Sequence, residues 1–469
     1  LPSRYAAQLR QTRPLRTRPE ALTKRARHPM QLPDVSLPDR RTVLKMAIGL
    51  GALAALGTPG ATAQPVATRA RIIIAGAGAA GLAIANRLSQ RLQGATITLI
   101  DARRAHYYQP GFTLVAAGLK QPSYAISGTH EYVPRNAQII ESSVAEFDPD
   151  ANAVTTSTGQ RLEYDYLIVA TGLTLDYEAI EGMSRELIGT EGIGSVYAGP
   201  QEAAATYRSM SDFADVGGVG LFGRPETEMK CAGAPLKYAF ITEDTLSRRG
   251  NRGKAELVYT AHNASLFGVP IVSEKVRMLF EDRGIDTRYN HVMTAIDPGR
   301  RIATFRTPEG SEQIGYDFIN VIPPMRAPQA VRQSALAWQS GPLAADGWVE
   351  VDPVTLRHVR YNNIFAVGDI AGVQKGKTAA SVKWQVPVAV DHIIADLAGT
   401  ESDSAYNGYT SCPLITRIGR AMLVEFDYNN NLVPSFPGLI PPLEELWSSW
   451  MIKETALRPT YLAMLRGQA

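Results

Sequence analysis

Three glycines in a G-x-G-x-x-G register, Gly76, Gly78 and Gly81, follow the apolar run Ile72–Ala75 and open a stretch of helical periodicity. Strand, glycine turn and helix in that order begin a dinucleotide-binding βαβ unit, so this segment limits the chain to a parallel α/β fold. Gly76 permits the tight turn. Gly78, with Ala79 and Ala80 behind it, lets the backbone approach a pyrophosphate at the helix N-terminus, and Gly81 allows the helix to pack closely. The next β-branched run, Thr96–Ile100, ends in Asp101, 20 residues after Gly81. An acid in that register accepts a hydrogen bond from an adenosine ribose hydroxyl.

Two later strand-like segments also end in glycine. One runs from Tyr166 through Ala170 and Thr171 to Gly172; the other runs from Asn363 to Gly368 and is followed by Asp369. Their order and separation match the way large flavoproteins close over FAD, with the Asp369 carboxylate near the ribityl chain and pyrophosphate. A second nucleotide-type domain is then expected between residues 185 and 330. Its candidate loop, 217–225, lacks a G-x-G-x-x-G that opens a helix, is interrupted by Pro225, and has no ribose-binding acid after the following strand. NAD(P)H is therefore not the expected reductant.

The slot that would hold a second phosphate loop instead carries Cys231, in the segment Lys230–Lys237. The chain's other cysteine is Cys412, between Ser411 and Pro413. A chain of 469 residues buries its core without staples. Two cysteines among small or rigid residues fit either sulfur chemistry or a plain structural bridge, and spacing alone leaves both open.

Residues 1–63 hold 11 Lys+Arg and 3 Asp+Glu, net +8 against +3 for the whole chain, so the remainder is acidic and the basic excess does not indicate nucleic-acid binding. Within that stretch Arg40 and Arg41 precede an apolar run, Met46 to Leu56, and small residues up to Ala63. This order predicts a twin-arginine export signal, with Met30 as the expected start, and places the protein on the periplasmic face of the inner membrane as a peripheral protein. The seven histidines share no metal spacing with either cysteine, and no metal is assigned. His106 and His130 are noted near the expected site without a role.

The segments His106–Val115, Lys230–Lys237, Val321–Met325, Gly376–Ala380 and Tyr406–Leu414 together resemble the sulfide:quinone oxidoreductases, in particular the branch that includes the mitochondrial enzymes. The matches run in order through nearly the whole chain after the leader. The resemblance implies an α/β fold of two Rossmann-like, glutathione-reductase-like domains with a C-terminal amphipathic membrane-docking extension. The implied limits are 68–184 and 331–400 for the FAD-binding domain, 185–330 for the second domain, and 401–469 for the C-terminal region. It also implies that FAD is the cofactor and that Cys231 and Cys412 form the redox pair, bridged at rest. Hydrogen sulfide would attack Cys412, leaving a persulfide there and freeing the Cys231 thiolate, with electrons passing through FAD to a membrane quinone and the sulfur to a small sulfane-sulfur acceptor.

By the same resemblance Gln109 and Pro110 lie on the flavin-facing loop, and Lys377, followed by Thr378, sits near the flavin pyrimidine edge or else is a surface lysine at a helix start. Pro323 to Met325 would line the quinone mouth. Lys230 either lowers the Cys231 pKa or is solvated. No third cysteine is present, and Ile370 follows Asp369. The stretches 446–459 and 461–466 set Trp, Tyr, Met and Leu beside basic residues, a pattern that fits a lipid interface or ordinary core. Self-association is left open. The rival readings are the flavin subunit of a flavocytochrome c sulfide dehydrogenase, which needs no membrane tail, and a non-catalytic flavin protein with a structural disulfide.

Overall fold

A computed structural model describes residues 64–469. The leader with its paired arginines lies outside the described residues. Strand β1 (Arg71–Ala75) enters the glycine turn and helix α1 (Ala79–Arg91), and β2 (Thr96–Ile100), β3 (Ala137–Ile140) and β4 (Tyr166–Val169) follow. Ile72, Ile73 and Ile74 are all buried, the continuous apolar run of a strand covered on both faces.

The second unit begins with β5 (Ile193–Gly194) and α2 (Pro200–Val216), then β6 (Gly218–Gly223), α3 (Ala234–Arg248), β7 (Ala255–Thr260) and β8 (Ile285–Arg288). An antiparallel meander of β9 (Val292–Asp297), β10 (Ile302–Thr307) and β11 (Gly310–Gly315) precedes β12 (Phe318–Asn320). The chain then returns to the first sheet with β13 (Ile364–Ala366) and α4 (Ala379–Ala398). A hairpin of β14 (Thr410–Arg417) and β15 (Arg420–Phe426) leads to α5 (Trp447–Met451), a π-helical turn over Ile452–Ala456, and α6 (Leu457–Leu465).

The first sheet has the order β13-β4-β1-β2-β3 and the second β5-β12-β6-β7-β8, and every neighbouring pair in both is parallel. In such sheets sites form beyond the carboxyl ends of the strands, so both candidate sites can be located from the topology.

The missing fingerprint at 217–225 has a structural reason, because residues 218–223 are the strand β6 itself. A Cβ on Gly220 would stand 2.8 Å from Leu257 and 2.9 Å from Phe213, so this glycine serves close packing of sheet and helix. The C-terminal stretches, read as two separated segments, run together through the π turn. Part of their aromatic and aliphatic surface faces the protein, since Trp450, Tyr461, Met464 and Leu465 are buried. Trp447 and, before it, Leu439 remain exposed. Among the described residues no helix is long and apolar enough to cross a membrane.

Candidate functional site

The glycine turn behaves as its spacing predicts. Gly76 has φ +108° and a Cβ there would stand 2.8 Å from the Ala170 carbonyl carbon, while a Cβ on Gly81 would collide with the Gly76 carbonyl. Gly78 faces open space, its nearest neighbour being the Arg103 guanidinium at 3.9 Å. Asp101 sits under the turn rather than in the cavity. It accepts from the Ala77 N–H at 2.8 Å and from the Arg103 N–H at 2.8 Å and guanidinium at 3.1 Å. Burial works against its charge, but Arg103 and these hydrogen bonds outweigh it and hold the carboxyl below its usual range. The side chain that lines the cavity at this corner is Arg103.

A cavity of about 490 Å³ lies beyond the carboxyl edge of the first sheet. It is lined by Gly78, Ala79 and Ala80 at one end and by both cysteines at the other, with Gln109, Pro110, Ala170, Thr171, Gly172, Gly368, Asp369, Lys377 and Thr378 between them. Cys231 is delivered by the turn between β6 and α3, and Cys412 by β14. The two are free thiols, close enough that each shifts the other's titration. Gly233 makes that approach available, because a Cβ there would stand 2.5 Å from the Cys412 sulfur. Cys231 itself has φ +47°, a left-handed conformation uncommon for a side-chain-bearing residue. Its N–H donates to the Lys377 carbonyl at 2.9 Å, and its carbonyl accepts from the Tyr197 hydroxyl at 2.8 Å.

Two lysines given no role in the sequence reading act on the sulfurs. Lys237, buried on the first turns of α3, places Nζ 3.7 Å from the Cys231 sulfur. Lys453, buried on the π turn, donates to the Pro110 carbonyl. The hydrogen bond from Cys412 is the largest influence on Cys231; with the charges of Lys237 and Lys453 it outweighs burial and holds the thiol well below its ordinary range. Cys412 moves the opposite way, through its hydrogen bond to Cys231 and through burial. Burial, reinforced by the Lys237 charge, brings Lys453 down to about 7.

Lys230 is neither simply solvated nor the main partner of Cys231. Its ammonium lies 5.9 Å from the centre of the Tyr197 ring; burial lowers its pKa while the Asp369 charge opposes that shift. Lys377 is buried, not a surface lysine. It donates to the carbonyls of Asp369 at 2.7 Å and Ala371 at 3.1 Å, stands 3.7 Å from the centre of the Trp348 ring, and is lowered by burial to about 8. Thr378 caps α4, accepting from the Ser381 N–H at 3.1 Å. Met325 is buried and Pro324 faces a different, smaller cavity, so the corner at 323–325 does not line the cysteine cavity.

Residues 70–218 match the family model for pyridine nucleotide-disulphide oxidoreductases. The chain is 34% identical over 368 residues to the mitochondrial sulfide:quinone oxidoreductase of Dictyostelium discoideum, a match covering 78% of this chain and 80% of that one. It is 33% identical over 369 residues to the mitochondrial sulfide:quinone oxidoreductase of Mus musculus, with the same coverage. The chain belongs to the sulfide:quinone oxidoreductase family. The crystal structure of the sulfide:quinone oxidoreductase from Aquifex aeolicus shares the fold, with a TM-score of 0.69 at 22% identity over 86% of this chain and 92% of that one.

Sulfide:quinone oxidoreductases are FAD proteins, and the residues here fit that group. Gly78 leaves room for a pyrophosphate at the α1 N-terminus, and the Thr171 hydroxyl, which lines the cavity, is buried without a hydrogen-bond partner. Asp369, Thr171 and Gly78 would hold the ribityl and phosphate portion, leaving the cysteine end of the cavity for the ring system.

The sequence carried a usable signal for Lys237, since a lysine among Leu236, Tyr238, Ala239 and Phe240 in a helical run has to be buried with a partner. It carried none for Lys453, whose position depends on the chain's last helices wrapping back over the first domain.

Proposed function

We propose that this chain oxidises hydrogen sulfide to sulfane sulfur through a Cys231–Cys412 disulfide and passes the electrons by way of FAD to a membrane quinone. The observation that carries this reading is the adjacency of the two sulfurs at the end of the FAD-type cavity, with Lys237 aimed at Cys231. In the oxidised pair, HS⁻ attacks the Cys412 sulfur, the S–S bond breaks, and the bonding electrons leave on Cys231. The products are a Cys412 persulfide and a Cys231 thiolate. Cys231 is the better leaving group because its thiol is held well below its ordinary range while that of Cys412 is raised. Transfer of the outer sulfur to a small nucleophilic acceptor frees Cys412, and closing the disulfide again removes two electrons. FAD, when bound, supplies that two-electron sink and returns the pair to a quinone. Tyr107, Phe112 and Leu457 line the same cavity and offer an apolar surface to a quinone ring.

The domain limits given above, 68–184 with 331–400 for FAD and 185–330 for the second unit, are part of this proposal. So is a peripheral placement on the periplasmic side of the membrane, supported by the arginine pair and apolar run of the leader. The Dictyostelium discoideum and Mus musculus relatives are mitochondrial by name, so the compartment rests on the leader alone. Exposed Leu439 and Trp447 are the side chains of the C-terminal region available to a lipid surface.

Anaerobic addition of sulfide to the flavin-loaded protein, followed by a short-chain quinone, tests the reading. Sulfide should bleach the flavin spectrum, NADH should not, and quinone should restore it. An unchanged spectrum with sulfide would leave the cysteine pair structural.

A further inference from the structure

A second cavity, of about 140 Å³, lies at the carboxyl edge of the second sheet. It is bounded by the ends of β6, β7 and β12, by β9 of the meander, and by Arg224, Pro225 and Glu226. Neither cysteine lines it. Crevices at this edge of a parallel sheet are ligand sites, but the dinucleotide fingerprint is gone and the volume is well below the roughly 300 Å³ at which pockets for larger ligands begin. It still far exceeds the roughly 10–15 Å³ that a single water needs.

The polar groups around this cavity are unevenly satisfied. Glu226 pairs with Arg306 at 2.7 Å, and Arg326 with Asp176 at 3.1 Å and Asp346 at 3.6 Å. Thr260 donates to the Phe222 carbonyl and Thr294 to the Thr304 carbonyl. Asn320 is 2% exposed, yet neither its amide oxygen nor its amide nitrogen has a partner. Arg224 likewise has a buried Nε without a partner, and among the described residues no carboxylate pairs with it. A buried primary amide with all its capacity unspent, in the same cavity as a guanidinium whose buried Nε has no partner, is costly unless something binds there. The remaining wall, from Ile180, Met293, Phe305, Ile322 and Pro324, is apolar.

We propose that this cavity binds a small organic anion that carries a hydroxyl beside its carboxylate. The carboxylate pairs with Arg224, and the Asn320 amide accepts from the donor group and donates in return. The carbon skeleton lies against the apolar wall.

Calorimetric titration of the flavin-loaded full chain with glycolate, and separately with uncharged ethylene glycol, tests this. Glycolate should give saturable binding and ethylene glycol none, and Arg224→Gln and Asn320→Ala should each weaken glycolate by about tenfold or more, the loss expected for one charge-assisted contact, while the flavin spectrum is kept. Absence of saturable binding to the wild-type chain, or wild-type affinity retained in both variants, would overturn the proposal. Should either variant fail to take up flavin, a crystal of the wild-type protein grown with glycolate decides the matter: density bridging Arg224 and Asn320 supports the site, and ordered waters alone overturn it.

Discussion

The Lys237 ammonium lies 3.7 Å from the Cys231 sulfur, inside the protein rather than on its surface. Burial works against this lysine's charge, but the two sulfurs outweigh burial and raise its pKa above the ordinary value. The same attraction pulls the Cys231 thiol down, so the pair is most stable as ammonium and thiolate. Replacing Lys237 by Met keeps the volume and removes the charge. In the reduced protein the apparent pKa for alkylation of Cys231 by iodoacetamide should then rise by about one unit or more, and sulfide turnover should fall with it. A lysine that only fills space would leave the alkylation profile where it was.

Cys231→Ser and Cys412→Ser should each lower sulfide-dependent quinone reduction by about a thousandfold or more, because neither attack on a disulfide nor its re-closure can occur with one sulfur. Flavin content should stay at the wild-type level, since neither residue belongs to the phosphate end of the cavity. Loss of flavin and of folded protein in both variants, in place of a selective loss of turnover, would mark the pair as structural.

The local parts of this site were legible in the sequence. Gly76, Gly78 and Gly81 announce their turn because each role depends on backbone geometry within a few residues, and the two cysteine segments announce themselves by composition. What was not legible depends on contacts made across the chain. Asp101 holds the expected register, but the fold gives its oxygens to Ala77 and Arg103. Spacing excludes a phosphate loop at 217–223 but does not say what those glycines do, whereas the fold shows Gly220 required by Phe213 and Leu257. The C-terminal aromatic stripe has the same periodicity whether it meets lipid or α1, and the position of Tyr461 beside His106 decides for the protein interior.

Gly81→Ala should separate folding from cofactor retention. The new methyl group would collide with the Gly76 carbonyl, which is backbone and cannot swing aside, so the turn must open before α1 can pack. A cost of about 2–4 kcal/mol in unfolding free energy is expected, measured by urea titration, together with purification of the protein largely free of flavin. Gly159→Ala, where a Cβ meets nothing within 4 Å, should change flavin content little, although its positive φ of +83° makes it slightly destabilising.

His106 gives the fold a pH dependence of defined sign. Its Nε2 lies 2.7 Å from the Tyr461 hydroxyl, tying α6 to the cavity wall, and burial together with the Arg103 charge lowers its pKa from the ordinary 6.5 to about 4. Above about pH 6.5 the imidazole is neutral in the folded and unfolded chains alike, and its contribution to stability is complete. As the pH falls below that value the unfolded chain takes up a proton that the folded chain refuses until about pH 4. Stability is therefore lost across that window, by about 3 kcal/mol in total for this one group. Comparing urea unfolding of the wild type with that of His106→Gln at a series of pH values isolates the effect from the carboxylates that titrate in the same range. Gln can still bond to the Tyr461 hydroxyl but cannot titrate, so the difference between the two proteins should shrink as the pH drops from 6.5 toward 4. A difference that stays constant over this range would mean that His106 takes up its proton in the folded chain at the same pH as in the unfolded one.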